Sequence, residues 1–164
     1  MTGDLKPPAI NPMSIEAGTG TLYPAHLDCP AEPRIKRRLG DALGLTKFGV
    51  NLSILPPGAW SAFRHWHEQE DEFVYILEGE ATLVTDHSEQ ILGPGAAAGF
   101  PGGKADGHVL KNNTENDLVY LEVGNRFDDE DVHYPDVDLH LEKRPGKRQY
   151  YDKKGNPLEG KVTA

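Results

Sequence analysis

Turn residues interrupt this chain too often for it to build long helices. Its 164 residues include 18 Gly and 13 Pro, and the short runs between these breaks alternate apolar and polar residues. Residues 47–55 (KFGVNLSIL) place Phe48, Val50, Leu52 and Ile54 on one face and Lys47, Gly49, Asn51 and Ser53 on the other. That period of two belongs to a β-strand. Pro56-Pro57-Gly58 ends it, because proline supplies no ladder donor. Further strands are read at residues 61–67, 72–77, 80–85, 90–92, 107–112 and 117–123, with turns at 78–79, 86–89 and 93–95. About eight short strands closely spaced by turn signals make an all-β antiparallel sandwich or barrel.

Within this pattern lies His65-x-His67, followed after four intervening residues by Glu72. Residues two apart share a face only in extended chain, about 7 Å apart along the backbone. In a helix they diverge, so a strand is needed for both imidazoles to meet one ion. Glu68-Gln-Glu-Asp71 is a polar turn, and the β-rich run EFVYIL returns with Glu72 at its start. Two imidazoles and a carboxylate form a mixed nitrogen and oxygen site for a divalent Zn, Mn, Fe, Co or Ni ion. Two histidines and a glutamate on a polar hairpin also describe solvated surface. A second histidine region, with His108 on the strand at 107–112, favours metal. His87, at a hairpin tip, and His133 and His140, in the polar C-terminal part, read as surface histidines.

The flanks differ from the centre. Residues 1–45 hold Pro7, Pro8, Pro12, Pro24, Pro30 and Pro33 and form an extended arm, closing in a turn or short helix at 35–45 with a basic, solvated run at 36–38. Residues 46–124 make the barrel. Residues 125–164, acidic at first and then basic and polar, form an appendage packed on it, with a strand near 137–141. The net charge of −9 argues against a nucleic-acid partner. No apolar run near the N-terminus suggests a signal peptide, and none is long enough to span a bilayer, so no membrane partner is expected. Cys29 is the single cysteine, which suits a reducing, cytoplasmic setting.

Two motifs resemble those of the cupin superfamily, small barrels of jelly-roll (double-stranded β-helix) type. Gly58, His65, His67, Glu72 and Gly79 follow the first, with six residues rather than five before His65. Gly95, Pro101, Gly103, His108 and Asn112 follow the second, with four residues rather than two between Gly103 and His108. The resemblance covers residues 58–112. It implies His65, His67, Glu72 and His108 as ligands of one divalent metal and a homodimer as the assembly. Arg64, Lys104 and Asn112 are candidate contacts for a small polar or anionic ligand. Three neutral imidazoles and one carboxylate leave a divalent site with positive charge and open positions. The expected chemistry is Lewis-acid isomerisation of a sugar or sugar phosphate. A non-haem iron dioxygenase and a non-catalytic ligand-binding barrel are the alternatives.

Overall fold

The computed structural model describes residues 5–161. Its elements in chain order are β1 (Gly18–Thr19), β2 (Ile35–Arg38), α1 (Leu39–Ala42), β3 (Phe48–Leu55), β4 (Trp66–His67), β5 (Glu72–Glu78), β6 (Ala81–Val84) and β7 (Glu89–Leu92). They continue with β8 (Ala97–Phe100), β9 (Val109–Lys111), β10 (Leu118–Asn125), β11 (Glu130–Tyr134), β12 (Leu139–Arg144), β13 (Lys147–Tyr151) and β14 (Pro157–Leu158). Three antiparallel sheets result, of order β1-β2-β3-β10-β5-β8, β14-β13-β12-β11-β4 and β7-β6-β9.

The six-stranded sheet carries the alternation into two faces. Leu55, Val74, Ile76, Leu118 and Tyr120 point inward and pack with Ala59, Ala81, Leu83 and Leu110 into one core cluster. Burial of such side chains contributes about 1.5–3 kcal/mol each. Further along the same inner face the side chains turn polar. Glu122 pairs across β3 with Asn51 and across β5 with Val74, and Gly124 pairs with Glu72. One end of the barrel is thus apolar filling and the other a lined cleft. The turn after β5 needs Gly79: its φ is +78°, and a Cβ there would stand 2.4 Å from the Asp117 carbonyl oxygen.

Four elements depart from the expected layout. Residues 61–67 are not one continuous strand. Trp60 bridges Lys111 and His65 bridges His108, both beside β9, and then Trp66–His67 pairs with β11 in another sheet. The segment changes partners at a corner of the barrel. Ala97–Phe100, an unassigned run of small residues, is a strand paired with β5. Residues 35–38 form an inner strand paired with β3, and only Leu39–Ala42 is helical. After Asn125 there are four strands, with Val132, Tyr134, Leu139, Leu141 and Tyr150 buried against Tyr23, Cys29, Ala31 and Phe63 in a second core cluster. The arm and the C-terminal segment therefore close the open end of the barrel together.

Candidate metal centre

The bridge between His65 and His108 sets the first two donors. Each backbone N–H donates to the other's carbonyl, at 3.1 and 2.9 Å, and the rings lie 4.8 Å apart. His67 follows on β4, and Glu72 opens β5. The loop joining them is fastened from below. The buried Glu130 carboxylate accepts the backbone N–H groups of Glu68 at 2.9 Å, Gln69 at 3.2 Å and Glu70 at 2.6 Å. Across from Glu72, Gly124 leaves space: a Cβ there would be 3.1 Å from the Asp71 carbonyl oxygen and 3.7 Å from the Glu72 Cγ.

Three imidazole Nε2 atoms converge on one carboxylate oxygen. Glu72 Oε2 lies 3.5 Å from His65, 3.4 Å from His67 and 2.9 Å from His108. The donor atoms of His65, His67 and Glu72 all lie within 4.8 Å of one another. His65 is oriented by its other nitrogen, since Nδ1–H donates to the Phe63 carbonyl at 2.8 Å. A carbonyl only accepts, so Nε2 keeps its lone pair. The His108 ring lies flat on Phe100, 3.6 Å between centroids at 2°. His67 Nδ1 sits 3.5 Å from Glu70 Oε2.

Burial pushes His67 down to about 4, partly offset by the charge of Glu72. Burial also lowers His108, against its hydrogen bond to Glu72. For Glu72, burial acts upward, but the hydrogen bond from His108 and the proximity of His65 and His67 hold it well below the usual carboxylate range. At neutral pH His67 and His108 are neutral and Glu72 is charged, the protonation states that a divalent ion requires. The donor set fits such an ion. The three Nε2 atoms crowd one carboxylate oxygen, and only His108 lies at full hydrogen-bond distance from it. A cation would take up the converging lone pairs. Borderline nitrogen and oxygen donors suit Zn, Mn, Fe, Co and Ni alike.

The cluster opens into a cleft of about 800 Å³ lined by the inner face of the six-stranded sheet, the arm and β11–β13. The main polar residues in it are Arg34, Lys36, Glu122, Tyr150 and Arg148, none anticipated as a site residue. Lys36 lay in the run expected to be solvated. Instead it pairs with Glu122, which also accepts a hydrogen bond from Asn51 Nδ2 at 2.9 Å. The three candidate ligand contacts lie elsewhere. Arg64 points away and is held by Asp136 and Asp86. Asn112 is fully buried and gives its amide to the carbonyls of Leu55 and Asn116, so it serves as an internal tie. Lys104 is largely exposed and borders a smaller cavity of about 300 Å³ that touches His67 and His108 from the other side. His87 is exposed, and His133 stacks on Trp66 at 4.1 Å, outside the cluster.

No helix of the described residues is long and apolar enough to cross a membrane. The cupin domain family model matches residues 51–124. No curated protein matches the chain. Among solved structures, a sugar phosphate isomerase of the cupin superfamily from Silicibacter pomeroyi is 40% identical, with a TM-score of 0.88 over 92% of this chain and 96% of that one. A second, described as a sugar phosphate isomerase from Acidithiobacillus ferrooxidans, is 32% identical, with a TM-score of 0.71 over 80% of this chain and 81% of that one. The two-motif barrel and these likenesses together place the chain in the cupin superfamily.

Proposed function

We propose that this protein is a metal-dependent isomerase of a sugar phosphate, with His65, His67, Glu72 and His108 holding one divalent transition ion. The observation that carries the reading is one cleft holding both a neutral-imidazole and carboxylate cluster and a separate ion pair, Glu122 with Lys36. The names of the two similar solved structures supply the substrate class. Bound there, the ion supplies Lewis-acid polarisation of a carbonyl and its neighbouring hydroxyl.

The chain's own residues supply the proton transfer. Glu72 is committed to the histidines, so a second carboxylate is needed. Glu122 stands diagonally from Glu72 on the same sheet face, at a separation of about 7–8 Å for such neighbours. Burial raises its carboxyl, but Lys36 and Arg34 outweigh that and keep it ionised. In this reading Glu122 Oε1 or Oε2 accepts the proton from the carbon beside the carbonyl and returns it to the neighbouring carbon. Lys36 and Asn51 keep the carboxylate aimed. The buried walls limit water, which would otherwise exchange with the transferred proton.

The assay is interconversion of aldose and ketose phosphates by protein loaded with Mn²⁺, Zn²⁺, Fe²⁺, Co²⁺ or Ni²⁺, followed by NMR in deuterated water. Turnover, or deuterium incorporation at the carbon beside the carbonyl, is expected with at least one metal, and Glu122→Gln should lose about 10²–10⁴-fold in kcat while keeping its metal. Neither turnover nor exchange with any metal across the panel would remove the reading.

The same proposal includes a homodimer. Phe73, Tyr75 and Leu77 alternate outward along β5 and Phe48 lies on β3, each more than a third exposed. Leu121 and Val123 lie beside Tyr75 and Phe73 on β10. A contiguous apolar sheet face of this kind is uncommon on a monomer, and a second copy offers the matching flat surface.

A further inference from the structure

Cations in the cleft fall into two sets. Lys36, Lys143 and Lys161 are neutralised by Glu122, Glu70 and Glu32. Arg34, Arg38 and Arg148 also line the cleft, and among the described residues none of them has a carboxylate within ion-pair distance; Arg38 is exposed at the end of β2. Arg34 enters just before β2. One terminal nitrogen donates to the Ser61 carbonyl, and its Nε is buried with no partner. Arg148 reaches in from β13 and donates through Nη2 to the Tyr150 hydroxyl at 2.8 Å. Both positive charges act on that phenol, opposing the upward push of burial. Both guanidinium groups border the same cleft.

A guanidinium with an unmet donor in a partly dry cleft is costly unless something accepts from it. The wall beside it excludes most alternatives. Tyr23, Tyr134 and Tyr150 pack ring on ring, with Tyr23 centroids 5.6 and 5.9 Å from the other two, and Tyr134 stacks 5.8 Å from His65. This aromatic wall runs unbroken from the metal cluster to Arg148. A ligand lying along it would have one end at the histidines and the other at the arginines. Arginine matches tetrahedral oxyanions because its planar fork donates two parallel hydrogen bonds. On a chain of net charge −9, arginines lining one cavity without a carboxylate partner stand out.

We infer that Arg34 and Arg148 form a phosphate subsite, with the half-buried Arg34 as the anchor, and that it binds the phosphate end of the substrate while the carbonyl end lies at the histidine cluster. This rests on the sugar phosphate reading above and extends it to the recognition of the phosphate. The residue before β2 thereby acquires a binding role, and so does β13 in the C-terminal segment.

The test uses binding, so that it stands apart from turnover. Calorimetric titration of the full-length, metal-loaded protein with inorganic phosphate, ribose 5-phosphate and ribose is the primary measurement. Ribose 5-phosphate should bind about ten-fold or more tightly than ribose, and the advantage should shrink with added salt. Arg34→Met should abolish that advantage and weaken inorganic phosphate by about ten-fold or more at unchanged metal content, with Arg34→Lys recovering part of it. Arg148→Met, on an exposed stem, should weaken phosphate by a smaller factor. Undiminished phosphate binding in Arg34→Met, or no preference for the phosphorylated sugar in the wild type, overturns the inference. Should Arg34→Met fail to fold, Arg148→Met decides, and unchanged phosphate affinity there overturns it. Phosphate binding that depends on these arginines in a protein without isomerase activity would sink the catalytic reading alone. Turnover of unphosphorylated sugars with arginine-independent binding would sink the subsite alone.

Discussion

Glu72 is the residue on which the local chemistry turns. Its carboxylate faces three imidazole nitrogens within 3.5 Å. Burial alone would neutralise such an acid, yet the His108 hydrogen bond and the two other imidazoles beside it keep it charged. The surrounding histidines give a pH dependence with a definite sign. His67 ionises near 6.5 when free and near 4 in the folded protein. Between those values the unfolded chain binds a proton that the folded chain refuses, so stability falls as pH falls. His108 acts in the same direction. Urea midpoints of the metal-free protein should decline as pH falls from 6.5 toward 4, where the His67 contribution is spent, and a level profile across that window would contradict the burial argument. Glu70 gives a second expectation. Its carboxylate lies beside His67 Nδ1 and is held by Lys143. Glu70→Gln should lower metal affinity by about 10–100-fold, as loss of a ligand's outer partner commonly does, while His87→Ala should leave it unchanged. Competition with a fluorescent chelator measures both. The proximity of His65, His67 and Glu72 was legible in the sequence because it follows from strand periodicity and one short turn. His108 is 36 residues from Glu72, so local spacing says nothing of it, and only the second motif pointed there.

At the scale of elements, the loop between β4 and β5 is the point of weakness and control. Its three successive N–H groups converge on the wholly buried Glu130 carboxylate, and only that of Glu68 has a second acceptor, the Asp131 carbonyl at 3.0 Å. An amide in its place offers one acceptor oxygen and brings a donor that faces other donors. Glu130→Gln should therefore cost about 2–3 kcal/mol, seen as a lower denaturation midpoint, and should also reduce metal content, because His67 and Glu72 border the loop. A fully stable, fully metallated variant would show that the loop holds its shape without the clamp. Strands β3, β5 and β10 were legible because each alternates cleanly and is bounded by Gly, Pro or Asn. Residues 61–67 were misread as one strand, because a chain that changes sheets keeps its extended backbone but not its partner. Residues 97–100 were not assigned, since AAGF carries no alternation. β2 reads in the sequence as a solvated basic turn, because Lys36 and its acidic partner Glu122 lie 86 positions apart and meet only when β2 lies on β3 and β3 on β10.

For the whole molecule, the outer face of the six-stranded sheet is the surface proposed above to meet a second copy. A dimer buried through that face should give twice the chain mass of 18.0 kDa by size exclusion with light scattering. Phe73→Glu should shift it toward monomer while leaving the inward-facing metal cluster intact. A monomer at micromolar concentration in the wild type rules the assembly out. The cupin barrel followed from the sequence because fold class rests on periodicity, turn residues and motif spacing, all of which are short-range. The lining of the cleft did not. Arg34 from the arm, Glu122 from β10 and Arg148 from the C-terminal sheet converge on one cavity. Their hydrophilic side chains look the same in a sequence whether they face water or a pocket. Polar residues carry no periodic signature of which side they face once the strands curve into a barrel, and so only the closed tertiary structure separates a solvated charge from one aimed at a ligand.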